Sequence, residues 1–97
     1  MRIFNKSTLS EFWKKHKDAE ESLKTWYKNA SKTEWKKPRD VKKMFAKASI
    51  VANNRVVFDI NGGSYRLVVE FNYDFGLGYI RFIGTHSDYD KIDVSTC

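Results

Sequence analysis

The strongest constraint on this chain is the trio Asn61-Gly62-Gly63, set between the runs "RVVFDI" and "SYRLVVEFNY". Asn-Gly between two β-rich runs signals a hairpin, because these residues tolerate the positive φ that a tight turn demands. The second run alternates, with Tyr65, Leu67, Val69 and Phe71 on one side and Ser64, Arg66, Val68 and Glu70 on the other. "DFGLG" then turns the chain, and "GYIRFIGT" reads as another strand. Three consecutive antiparallel strands make a meander. Such a sheet has an apolar face to bury, and the first half of the chain supplies the cover.

That half reads as helices. "MRIFN" is a short apolar stretch suited to a first strand. Thr8 and Glu11 then have capping-box spacing, and Leu9, Phe12, Trp13 and His16 make one helical stripe. Ala19, Leu23, Trp26, Tyr27 and Ala30 repeat the pattern, with Asp18 as the expected N-cap and acidic residues in the first turn. Pro38 breaks the periodicity. Asp40 is then expected to cap a short helix carrying Val41, Met44, Phe45 and Ala48 on one face. Helices followed by strands predict an α+β fold: a small antiparallel sheet with two to three helices packed on one face, one domain over residues 1–97.

The net charge of +6 is unevenly placed. Residues 1–48 carry 14 Lys/Arg against 6 Asp/Glu, or +8, and residues 49–97 carry 4 against 6, or −2. Lys36, Lys37, Arg39, Lys42 and Lys43 crowd around Pro38. Such a surface suits phosphates or an acidic protein, and it equally suits a solvated loop. The single cysteine, Cys97, fits a reducing compartment, and no stretch is long enough to cross a bilayer. The N-terminal "MRIFNKSTLSEFW" has no apolar signal-peptide core, so a cytoplasmic protein with no membrane partner is expected.

Few residue sets here can do chemistry. His86, Asp88 and Asp90 are a thin set for a metal, His16 lies on an apolar stripe, and Cys97 is terminal, so no metal or other cofactor is expected. No serine sits in a Gly-x-Ser-x-Gly elbow, and Gly62-Gly63 lies between strands, not before a helix. What remains is Arg66 in "YRLVV", Arg81 in "YIRFI", and the strand end "GTHSDYD" with His86 and Tyr89. Either arginine alone fits the solvent face of a sheet. Together with His86 and Tyr89 they form a cluster suited to a phosphate and a proton. RNA cleavage needs that combination: a proton taken from the ribose 2′-OH, charge stabilised on the phosphorus, and a proton given to the leaving 5′-oxygen. DNA lacks the attacking hydroxyl.

With these residues quoted, the chain resembles the HigB toxins of bacterial toxin–antitoxin modules, a branch of the RelE-like mRNA interferases. The resemblance is carried by "KKPRDVKKMFAKASIVANNRVVFDI", "NGGSYRLVV" and "YIRFIGTHSDYDKID". It implies a RelE-like fold and ribosome-dependent cleavage of translated mRNA. It implies a HigA-like helix-turn-helix antitoxin, with promoter DNA bound only through the antitoxin complex. By the resemblance, Arg66 matches the strand arginine that holds the scissile phosphate, and His86 and Tyr89 match the C-terminal catalytic pair. Arg81 and Asp90 match the pattern without an implied role. Asp88 stands where the motif often has Glu, and Asn53-Asn54-Arg55 stands where some relatives carry a histidine. Arg55, Lys36, Lys37, Lys42 and Lys43 are further candidates for phosphate or ribosomal RNA contacts. The alternative reading is a small basic module that binds RNA or an acidic protein without cleaving it.

Overall fold

The computed structural model describes residues 1–97 as a five-stranded sheet with helices on both faces. The elements run β1 (Arg2–Phe4), α1 (Lys6–Lys15), α2 (Glu20–Lys32), α3 (Pro38–Met44), β2 (Ser49–Ile50), β3 (Arg55–Ile60), β4 (Tyr65–Asn72), β5 (Leu77–Thr85) and α4 (His86–Tyr89). In space the strands order β1-β5-β4-β3-β2. The meander β3-β4-β5 is antiparallel as the sequence predicts, and β1 adds a parallel edge to β5.

The hairpin signal holds. Asn61, Gly62 and Gly63 take φ of 53°, 68° and 98°, and Ile60 faces Tyr65 across the loop. Strand alternation then sorts the side chains. Val56, Phe58 and Ile60 of β3 and Tyr65, Leu67, Val69 and Phe71 of β4 join the main core with Leu9, Leu23, Trp26, Trp35 and Val41 from the helical half. Edge-on aromatic pairs fill this layer: Trp26 on Phe58 (ring centroids 5.2 Å apart), Phe45 on Phe58 (5.3 Å) and Trp35 on Phe71 (5.5 Å). Such pairs add about 0.5–1.5 kcal/mol each beyond the area they bury. α1, α2 and α3 therefore cover one face, and the single turn α4 lies on the other.

The helix starts differ from the sequence expectation in an instructive way. α1 begins at Lys6, two residues before the predicted cap Thr8, because Asn5 turns the chain out of β1 in a left-handed conformation (φ 70°). Its side-chain amide donates to the Ile80 carbonyl. Asp18 does not cap α2; it sits in a 3-10 turn, Lys17–Ala19, and accepts from the Tyr65 hydroxyl (2.5 Å) and the Asn61 side-chain amide (3.2 Å). The carboxylate thus ties the β3–β4 hairpin to the helices, and accepting the phenolic proton holds the Tyr65 hydroxyl above its usual range. Asp40 acts from the first turn of α3, accepting the Lys36 backbone N–H (3.0 Å), with Pro38 at the helix start.

That backbone hydrogen bond from Lys36 is the main reason the Asp40 carboxyl is held below the ordinary carboxylate range, aided by neighbouring lysines. A depressed folded-state pKa gives stability that is present above the unfolded value, about 3.9 for Asp, and is lost as pH falls through the folded value. Asp40→Ala should therefore lower the melting temperature at pH 7, with the gap to the parent narrowing as pH drops through the carboxylate range. Thermal melts from pH 7 to pH 3 test this, and a pH-independent gap would remove the charge from the account.

Candidate active site

The outer face of the sheet is set by register. Across β3 and β4, Arg55 faces Glu70, Val57 faces Val68, and Asp59 faces Arg66. Between β4 and β5, Arg66 faces Gly84 and Val68 faces Phe82, but Val69 faces Ile80. The extra residue is Arg81, so β5 carries a bulge there. Without it Phe82 would turn into the main core. With it Phe82 faces outward beside Val68, and Arg81 still reaches the outer face, where it grips Glu70 through Nε (2.9 Å) and one terminal nitrogen (2.8 Å).

Gly84 lets the site close over the sheet. A Cβ added at Gly84 would lie 2.6 Å from Phe82 Cζ and 3.3 Å from Asp88 Cβ. The Phe82 ring and α4 both cross the space a side chain would fill. α4 starts where it does because Thr85 is its N-cap, its hydroxyl accepting the Asp88 backbone N–H (3.2 Å). This sets His86 and Tyr89 on one turn, with the Tyr89 ring 6.4 Å from Phe82. His86 Nδ1 lies 3.4 Å from an Asp90 carboxylate oxygen, and both side chains are exposed. The imidazole thus has an acid beside it and stays open to a ligand.

Arg66 stands on the same face, beside Gly84 and two residues along the register from His86. Its guanidinium is largely covered and held by Asp59 (3.2 Å) and the Gly63 carbonyl (2.7 Å). It makes no direct contact with His86 or Tyr89 within the chain. Strand end, α4 and hairpin therefore bring Arg66, His86 and Tyr89 to one end of the outer face. Arg81 is displaced toward the other end by three residues of strand, about 10 Å at 3.3 Å per residue.

The remaining candidates divide. Arg55 is buried (8% exposed) and donates to the Asn53 and Cys97 carbonyls (3.1 and 2.8 Å), with Glu70 3.6 Å away. It anchors the segment after α4, as does the Asn53 amide, which donates to the Ser95 carbonyl. Within that segment the Ser95 hydroxyl and N–H both donate to Asp93, which holds the Asp93 carboxyl below its usual range. Lys42 donates to the Ala46 and Ala48 carbonyls (2.8 and 2.7 Å) and so closes the turn after α3. Lys36, Lys37 and Lys43 stay exposed, with Lys36 and Lys37 lining a groove at the far end of β4. No group of three or more His, Cys, Asp or Glu side chains converges, and no helix is long and apolar enough to cross a membrane.

Two carboxylates at the site were not singled out from sequence: Asp59, which holds Arg66, and Glu70, between Arg55 and Arg81. The hairpin signal does carry one of them. Once Asn61–Gly63 is taken as the loop, Asp59 and Arg66 fall opposite each other as a cross-strand charge pair.

Three helices packed on one face of a small five-stranded sheet make an α+β fold of the RelE-like kind. The family described as HigB_toxin, the RelE-like toxic component of a toxin–antitoxin system, matches residues 19–92, about three quarters of the chain, and the chain belongs to that family. It is thus a toxin of a toxin–antitoxin system, whose partner is an antitoxin. A comparison with curated proteins returns no match.

Gly84→Ala tests the packing that seats α4. The added methyl should cost about 1–3 kcal/mol, typical of overpacking a filled site. Denaturant midpoints read the loss directly, and a variant as stable as the parent would show that Phe82 and α4 are free to move aside.

Proposed function

We propose that this toxin is a metal-independent endoribonuclease, an mRNA interferase that cleaves translated mRNA on the ribosome and is neutralised by a HigA-like antitoxin. One observation carries the reading: Arg66, His86 and Tyr89 gather at one end of the outer sheet face, around a glycine whose missing side chain makes room for Phe82 and α4. On this reading Arg66 neutralises the scissile phosphate. Guanidinium can offer two parallel N–H groups to phosphate oxygens, and charge-assisted hydrogen bonds of this kind are about twice as strong as neutral ones. The substrate phosphate takes the place of Asp59 as its partner.

His86 moves the proton. Asp90 lies 3.4 Å from Nδ1, so Nε2 is the nitrogen that faces the substrate, as either base toward the 2′-OH or acid toward the leaving oxygen. Tyr89 supplies the second proton-transfer group or a ring for a base to stack on. The exposed lysines of the helical half, including Lys36, Lys37 and Lys43, give the electrostatic attraction to ribosomal RNA. The family likeness supports the toxin role, and the cleavage chemistry rests on this geometry.

Induced expression in bacteria tests the reading. The parent chain should arrest growth, and His86→Ala and Arg66→Ala should each relieve the arrest, with cleaved mRNA seen only for the parent. Arrest by both variants at the parent's level would show that this is not the active site.

A further inference from the structure

A second feature of the outer face lies at its other end. Arg66 and Glu70 are four residues apart on β4, about 13 Å of strand, so what binds beside Glu70 is not the phosphate held at Arg66. There an open groove is lined by Lys36, Lys37, Asn54, Tyr73 and Tyr79 together with Glu70. Tyr79 is held upright as part of its wall. Its ring stacks on Phe4 of the neighbouring strand (5.2 Å, 16° between planes), and the Arg81 guanidinium lies 5.0 Å from its centre. Arg2 extends the column, 5.1 Å from the Phe4 ring.

Several polar groups in this groove have no partner in the chain. Lys36 and Lys37 make no ion pair with the chain's carboxylates. Asn53 spends its amide on the Ser95 carbonyl, whereas the side-chain amide of Asn54 has no partner in the chain. Asn54 is nonetheless rigidly placed, in a left-handed conformation (φ 61°) with its carbonyl accepting the Phe71 N–H (2.9 Å). The Tyr73 hydroxyl is buried without a partner. An unpaired buried hydroxyl is costly, and this one is closed to solvent, so it takes no part in the groove's contacts. Glu70 carries its charge already paired with Arg81.

Flat aromatic and guanidinium surfaces, an amide that both donates and accepts, and two lysines are the chemistry of a single-stranded RNA subsite. We propose that this groove binds one nucleotide of the RNA, distinct from the one at Arg66, with the edge of the Tyr79 ring as the wall beside its base, Asn54 reading the base edge, and Lys36 and Lys37 holding the flanking phosphates. The proposal rests on the RNA-cleavage reading for the presence of RNA on this face, and it gives that site a base preference.

The test uses short single-stranded 2′-O-methyl oligonucleotides of each base, which lack the attacking hydroxyl and so report binding by the intact protein without cleavage. The parent should rank the four bases, and Asn54→Asp, which keeps the size and the tolerance of positive φ, should change that ranking. Tyr79→Ala should weaken binding of all four oligonucleotides severalfold, through loss of the wall beside the base and of the column that holds Arg81. Lys36→Ala with Lys37→Ala should weaken all four oligonucleotides alike and flatten the salt dependence by about 1.4 in log–log slope, at roughly 0.7 per phosphate. Because Asn54 and both lysines are exposed, their variants remain folded if Tyr79→Ala does not. A parent that binds none of the oligonucleotides, or variants that leave ranking, affinity and slope unchanged, would overturn the subsite. A parent that ranks bases through Asn54 yet leaves translated mRNA intact would uphold the subsite and overturn the cleavage reading. Cleavage that depends on Arg66 and His86 but is indifferent to Asn54 and Tyr79 would do the opposite.

Discussion

The pairing of β4 with β5 governs the rest of the molecule. β4 is the middle strand of five, and Leu67, Val68 and Val69 are fully buried, so it is covered on both faces. A one-residue slip in such a strand would exchange its two faces. The bulge at Arg81 is a local use of the same rule. Below it, Ile80 and Gly78 pack toward the helices; above it, Phe82 and the bare Gly84 face outward. That one extra residue switches which alternate residues of β5 face the core, from Gly78 and Ile80 before it to Ile83 after it, and so turns Phe82 and Gly84 outward.

Much of this is legible in the sequence, and the residues that are not share a physical reason. α2, β3 and β4 show clear periodicity because each buries one face against a continuous layer, and Asn61–Gly63 declares its turn through backbone chemistry that needs no tertiary context. The local signals fail where a distant partner outbids a near one. Thr8 and Asp18 have the right chemistry to cap helices. The chain instead turns at Asn5, tied to Ile80, and gives the Asp18 carboxylate to Tyr65 and Asn61 on the hairpin. The bulge at Arg81 is invisible for a similar reason, since "YIRFI" alternates acceptably in either register.

The candidate site divides along the same line. Arg66, His86 and Tyr89 could be named because hairpin and strand end place them by local rules. Arg55 and Lys42 could be named only as cations; in the fold the buried Arg55 and the exposed Lys42 each donate to carbonyls of the chain. A long cationic side chain beside an exposed turn has two competing uses, and sequence shows the charge without showing the nearest acceptor. The uneven charge of the two halves therefore overstates the free cationic surface, since part of it is consumed in holding the chain together.

The Arg66–Asp59 pair bears on how such a face would act. A partly covered guanidinium without a carboxylate would be costly to hold, so Asp59 and the Gly63 carbonyl stabilise it before any substrate arrives. Both partners come from the hairpin, so the arginine is aimed by the turn that also fixes the register. On the proposed reading a phosphate must displace Asp59, and part of its binding energy is spent on that exchange. A dianionic pentavalent phosphorane draws on Arg66 more strongly than a monoanionic phosphodiester does. The exchange with Asp59 weighs on both states, so the added attraction appears only as the negative charge grows. The exchange therefore weakens substrate binding without changing the step itself, and the rate gain comes from the extra charge that Arg66 meets in the transition state.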